Sequence, residues 1–66
     1  MVSVTTDLIQ TQHLEAGQKV RRSGRTPWTV VRVLEAGRGE SRLTVRRGKV
    51  QEVLRTFSDT HWEVLV

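Results

Sequence analysis

The side chains best suited to chemistry are arginines in two stretches of the chain, with a tryptophan beside the first. "GQKVRRSGRTPW" begins at residue 17, and "VRRGK" begins at residue 45. A planar guanidinium holds phosphate or carboxylate with paired hydrogen bonds, and an indole stacks on an unpaired base. The predicted nucleic-acid-binding residues are Arg21, Arg22, Arg25, Trp28, Arg46, Arg47 and Lys49.

A second interpretation of the same residues stays open. Eleven Lys and Arg against seven Asp and Glu give a net charge of +4, which also serves solubility in a small domain. Arginines that alternate outward protect strand edges from aggregation, and a GC-rich coding sequence produces the same bias. Trp28 opens the most apolar segment, which favours a role in the core or at a subunit interface.

Other chemistry is not indicated by the sequence. His13 and His61 have no further ligand at metal-binding spacing, and Glu35 and Glu40 flank a glycine loop that offers no cleft. No nucleophile context surrounds the three serines considered, Ser23, Ser41 and Ser58. We therefore predict no catalytic residue, no metal and no cofactor, and a binding protein rather than an enzyme.

The size of the chain limits its core. A chain of 66 residues buries only about 60% of its unfolded surface, so self-association as a homo-oligomer is expected. With no cysteine, neither a disulfide nor a thiolate zinc site adds stability. The sequence shows no membrane-spanning run and no signal-peptide pattern, from which we expect no membrane partner and a cytoplasmic location.

Short strands separated by turn residues must position the candidate side chains. Residues 1–13 form an arm, either flexible or paired with an edge strand, and the domain covers residues 14–66. Gly17 precedes a strand at Lys19-Val20-Arg21, and "RSGRTP" is a loop that ends where a strand begins at Trp28. "WTVVRVL" has apolar residues on both faces, which is typical of a strand that bends between two sheets.

Two hairpins follow in the predicted order. "EAGRGE" is the first turn, after which Leu43 and Val45 point inward while Arg42, Thr44 and Arg46 point outward. Arg47-Gly48 is the second turn. Residues 49–57 are then a strand with a bulge near Val53, although their spacing also fits an amphipathic helix. "SDT" predicts a 3-10 turn before a last strand, "HWEVLV".

This layout resembles an SH3-like barrel, so the predicted fold is all-β, with five short strands. Short bacterial proteins of the YodC type are similar in the positions Gly17, Val20, Gly24, Pro27, Thr29 and Val30, with Phe57 before the last strand. That family is functionally poorly understood, so the resemblance implies the barrel alone.

A second resemblance is to the plasmid-borne type II dihydrofolate reductases, which are SH3-like barrels of nearly this length. The similar positions are Gly17, Val20, Arg21, Ser23, Gly24 and Trp28. Those enzymes are tetramers with a central pore lined by a Val-Gln-Ile-Tyr stretch, of which this chain matches only Val50-Gln51. The resemblance implies an oligomeric reductase.

Three functions are therefore carried forward from the sequence. The first is a small binding or adaptor module that contacts nucleic acid through its arginines. The second is a protein-interaction module whose partner is an acidic protein, without nucleic-acid binding. The third is the oligomeric reductase.

Overall fold

The chain folds into one antiparallel sheet of six strands. The computed structural model describes residues 6–22 and 25–65. Within those residues no helix is long and apolar enough to cross a membrane. The elements are β1 (Thr6–Gln10), a 3-10 helix (Thr11–His13), β2 (Lys19–Arg21), β3 (Trp28–Gly37), β4 (Glu40–Arg47), β5 (Val50–Phe57) and β6 (His61–Leu65). The strands lie in the order β1-β6-β2-β3-β4-β5.

The all-β class is confirmed, but the closed five-stranded barrel is not. The arm supplies an additional strand, because β1 pairs with β6 in a register that places Ile9 opposite Trp62. In the described part of the chain β1 and β5 are the two edges and do not pair with each other, so the sheet is open. The alternation at Val2 and Val4 lies outside the described residues.

The predicted bend of the longest strand is present in β3. Its pairing with β4 shifts between Val30 and Arg32, and again between Glu35 and Gly37. Each shift inserts one extra residue, and such bulges increase the local twist of a strand. The first bulge explains why "WTVVRVL" has apolar residues on both faces: Val30 is buried and Val31 is only half-buried.

The turns that join β3, β4 and β5 are tight. Arg38 and Gly39 both have positive φ, of 56° and 74°, as a type I′ hairpin turn requires. The predicted turn at Arg47-Gly48 is displaced by one residue. Arg47 pairs with Val50, so the loop residues are Gly48 and Lys49, with Gly48 supplying the positive φ of 60°.

The ambiguous segment is a strand, not a helix, and its predicted bulge near Val53 is wrong. β5 pairs with β4 without interruption, from the pair of Arg47 with Val50 to the pair of Glu40 with Phe57. The two-residue turn explains this result, because it returns the chain directly along β4 and fixes the register of every following pair.

The core is a thin layer on one face of the sheet. It consists of one leucine before β2 and buried residues from four strands, β2, β3, β4 and β6: Leu14, Val20, Val30, Leu43, Val45, Trp62 and Val64. Leu43 and Val45 point inward as predicted. Thr44, predicted to point outward to solvent, is instead only 4% exposed. It lies in an inner strand, where it is paired with Arg32 on one side and with Val53 on the other, so it has a cross-strand neighbour on both sides.

A polar link anchors the chain near its N-terminus to β6. Trp62 donates its indole N–H to Thr11 Oγ1 at 2.8 Å, and that hydroxyl donates to the carbonyl of Thr60 at 3.1 Å. Thr11 lies in the 3-10 helix, which occurs here and not before the last strand as predicted. At that predicted position, Ser58 and Asp59 form a turn closed by Thr60 N–H to Phe57 O at 3.1 Å.

Replacing Thr11 by valine tests this link. Thr11→Val keeps the shape of the side chain but leaves the buried Trp62 N–H without its acceptor, so the free energy of unfolding is expected to fall by about 1–3 kcal/mol. Urea denaturation monitored by circular dichroism measures the change. Thr29→Val is the matched control, because Thr29 is half-buried in β3 and makes no side-chain hydrogen bond to a described residue. Equal stability of the two variants contradicts the prediction.

Candidate functional site

The loop after β2 and the turn between β4 and β5 meet at one groove of about 520 Å³. The sequence separates these segments by about twenty residues, and the pairing of β3 with β4 brings them together. The groove is lined by Arg22, Arg25, Thr26, Trp28, Arg47, Leu54 and Trp62. The candidate arginines thus share their surface with both tryptophans of the chain.

Arg47 is fixed against Trp28. The guanidinium carbon lies 3.8 Å from the centre of the indole ring. Its Nη2 donates to the carbonyl of Thr26 at 2.8 Å and its Nε to that of Pro27 at 3.3 Å. Thr29 faces Arg46 in the β3–β4 pairing, so Trp28 and Arg47 lie one position further along the same two strands. The register of the sheet therefore creates this contact.

Arg22 and Arg25 occupy the other side of the groove. The guanidinium carbon of Arg22 lies 5.1 Å from the ring centre of Trp62, within the range of a cation–π contact. The backbone N–H of Arg25 donates to the carbonyl of Arg22 at 3.0 Å. This bond folds the loop into a turn and holds both arginines at the groove. Trp62 is buried with the core, so one indole serves the core and the groove wall.

The groove is electrostatically one-sided. Among the described residues that line it, three are arginines and none is acidic. Arg21, also predicted as a contact residue, is not at the groove. Its Nε pairs with Glu63 Oε2 at 3.0 Å across the β2–β6 pairing, which neutralises its charge. The two neighbours Arg21 and Arg22 thus have different environments, because Arg21 is the last residue of β2 and pairs with β6, whereas Arg22 begins the loop that follows.

The remaining predicted residues lie nearby but outside the groove. Arg46 lines a neighbouring cleft of about 340 Å³, which shares Trp28 and Arg47 with the groove. Lys49 is exposed in the turn before β5. Four of the seven predicted residues therefore line the groove, namely Arg22, Arg25, Trp28 and Arg47.

Three residues of the groove were missed from the sequence: Thr26, Leu54 and Trp62. Thr26 and Leu54 carried no signal, since a loop threonine and a strand leucine are ordinary. Trp62 is buried in the core, and its place in the last strand gave no indication of the contact with Arg22.

The other candidate residues do not form a site. His13, His61, Glu35 and Glu40 are all exposed. Within residues 6–22 and 25–65, no group of three His, Cys, Asp or Glu side chains is placed to hold a metal ion. Ser41 and Ser58 are hydrogen-bonded to each other through their hydroxyls at 2.7 Å, a contact that joins β4 to the turn after β5. Ser23 lies outside the described residues.

No family model, curated protein or solved structure matches this chain. The groove is therefore interpreted from its own residues, and the resemblances to YodC-type proteins and to type II dihydrofolate reductases stay predictions.

The fixed position of Arg47 is tested by its truncation. Arg47→Ala removes the contact with Trp28 and two hydrogen bonds, so the free energy of unfolding is expected to fall by about 1–2 kcal/mol. Arg46→Ala is the matched control. Arg46 is adjacent and exposed, and it makes no side-chain hydrogen bond to a described residue; a change within about 0.5 kcal/mol is expected. Chemical denaturation of both variants measures the difference, and similar values refute the fixed geometry.

Proposed function

We propose that this protein is a small non-enzymatic binding module that holds single-stranded nucleic acid in the groove. The observation that carries the proposal is the combination of three arginines and two indole rings at one surface without a lining carboxylate. Phosphate contacts by arginine and stacking on aromatic rings are the two interactions by which proteins hold single strands.

The guanidinium groups of the groove retain donors for phosphate. Arg47 uses its Nε and Nη2 for the two loop carbonyls, and its Nη1 remains for a ligand. The side chains of Arg22 and Arg25 make no hydrogen bond or ion pair with a described residue. Each arginine therefore offers N–H groups to an incoming phosphate without breaking an existing ion pair.

The stack of Arg47 on Trp28 provides a surface for a base. Arg47 lies over the indole and lines the groove, and bases stack on arginine planes as well as on aromatic rings. The two carbonyl hydrogen bonds hold this plane in position before the ligand arrives. Binding therefore loses little side-chain entropy at Arg47.

A single strand fits this surface better than a duplex. In a duplex the flat faces of the bases are stacked on one another. A base can therefore contact the indole or the guanidinium plane only after it has been unstacked. Single strands need no such unstacking, and their binders select bases by stacking rather than by their edges. We therefore infer little preference for sequence.

Charge substitutions in and outside the groove test the binding site. The double variant Arg22→Gln with Arg25→Gln is expected to weaken binding of a fluorescein-labelled mixed-sequence single strand, measured by anisotropy. The slope of log affinity against log salt should become shallower by about 0.7 for each phosphate that the variant no longer neutralises. Arg32→Gln with Arg42→Gln is the control, because it removes the same charge from β3 and β4, away from the groove.

Three outcomes would contradict the proposal. Equal weakening by both double variants indicates attraction by net charge alone. Absence of binding at low salt eliminates nucleic acid as the ligand, and a salt-tolerant acidic protein partner would then support a protein-interaction module. An unlabelled duplex that competes better than the single strand contradicts the role of base stacking.

Intrinsic fluorescence gives an independent prediction. Because Trp28 is half-buried in the groove wall whereas Trp62 is only 5% exposed, a saturating single strand should quench the part of the tryptophan emission that comes from Trp28. Titration with an unlabelled oligonucleotide measures the quenching. Inorganic phosphate at the same charge concentration is the control and should leave the emission unchanged. Unquenched emission with full binding would place the ligand elsewhere.

A further inference from the structure

The outer edge of β5 is the longest unpaired strand edge in the described structure. β5 runs for eight residues and pairs only with β4 on its inner side. An unpaired edge presents backbone N–H and C=O groups that pair readily with another strand. β1, at the opposite edge, has only five residues.

Several of the exposed side chains of β5 are apolar. Val53 is 59% exposed and Phe57 61% exposed, and Val50 is also an exposed valine. Solvent-facing strands normally carry polar side chains on their outer face. Val53 and Phe57 lie on one face of the sheet and Val50 on the other, so apolar side chains are exposed beside this edge on both faces, where a neighbouring strand would cover them.

The turn before β5 determines which backbone groups point to this edge. Arg47 and Val50 close a two-residue hairpin, so they form a hydrogen-bonded pair, and every second residue of β5 after Val50 bonds to β4. The intervening residues direct their N–H and C=O groups away from β4. These are Gln51, Val53, Arg55 and Phe57.

A second copy of the same chain can pair with this edge through its own β5, with a two-fold axis between the two strands. In an antiparallel pair, residues that face each other point to the same side of the sheet. An odd-numbered residue must therefore face an odd-numbered one, and the symmetry axis passes through a residue that faces itself. The residues in the middle of β5 through which the axis can pass are Glu52, Val53, Leu54 and Arg55.

Charge eliminates two of these four registers. An axis at Glu52 or at Arg55 places two like charges directly opposite each other, which destabilises a pair of strands. With the axis at Leu54, the two Arg55 side chains become diagonal neighbours across the interface. Each Arg55 also faces Arg42 of its own chain. Four arginines would then crowd one face.

The axis at Val53 distributes the charges better. It places Arg55 opposite the partner's Gln51 and Phe57 opposite the partner's Lys49, with the two Val53 side chains in contact. The two Glu52 carboxylates then lie on a diagonal. Within its own chain Glu52 faces Val45. Arg47, two residues further along β4, is therefore a diagonal neighbour of Glu52.

We propose that two copies of this chain form a dimer by antiparallel pairing of their β5 strands, with the two-fold axis at Val53. The dimer joins two six-stranded sheets into one and covers the apolar residues of both β5 edges. It is independent of the proposed nucleic-acid binding, because every measurement below is made without a ligand.

Cysteine cross-linking tests the register. The chain has no cysteine, so each single variant has one reactive thiol. In Val53→Cys the two thiols belong to a hydrogen-bonded pair with Cα atoms about 5.5 Å apart, a distance that a disulfide spans. We expect a covalent dimer under mild oxidation on a non-reducing gel. Gln51→Cys is the control, because its two thiols lie on opposite sides of the axis, beyond the reach of a disulfide.

Leu54→Cys distinguishes the neighbouring register. Efficient cross-linking of Leu54→Cys with little from Val53→Cys places the axis at Leu54 and overturns the proposed register. Equal, slow cross-linking of all three variants indicates random collision and refutes the dimer.

Sedimentation provides a second measurement that needs no cysteine. The wild-type protein is expected to sediment as a dimer, and Val53→Lys as a monomer, because the two new ammonium groups face each other at the axis. Leu34→Lys is the matched control: Leu34 is 49% exposed in β3, away from the β5 edge, and its variant should remain dimeric. Retained circular dichroism in both variants separates loss of pairing from loss of folding. A monomeric wild type at millimolar concentration overturns the proposal.

Discussion

The ring of Trp62 is the point on which the rest of the structure depends. It is the largest side chain of a core that contains only seven buried apolar residues. Its N–H is satisfied by Thr11, so the ring enters the core without an unpaired donor, and the 3-10 helix is held against β6. The same ring carries Arg22 at the groove. The core and the groove wall therefore share one side chain.

The small size of the chain explains why its surfaces carry unusual side chains. With a core one layer deep, tryptophan and arginine provide contact area that aliphatic residues provide in larger domains. Arg47 illustrates this effect, because its contact with Trp28 extends the apolar face beyond the buried residues. On β5 no side chain of the described residues covers Val53 or Phe57, and both remain exposed.

Local patterns predicted most of the elements, whereas contacts between distant residues were not predictable. Glycine turns and alternation located β2, β3, β4 and β6, since each depends on neighbouring residues. The two-residue turn at Gly48 also decided between strand and helix for β5. The sequence left open whether the arm is flexible or pairs with an edge strand, because Leu8 and Ile9 show no sustained period, and it did not identify β6 as the partner of β1. In the site, the arginines and Trp28 were identified as candidate contacts, but the pairing of Arg21 with Glu63 depends on a strand register between residues 42 positions apart.

The two-residue turns have a consequence for the order of folding. β3, β4 and β5 are consecutive and joined by the shortest connections, so their pairing closes only small loops. β6 instead pairs with β1 and β2, which lie at the other end of the sequence. Since loop closure over long separations slows folding, the three-stranded meander is the natural nucleus and the joining of the chain's two ends is the late, slow event.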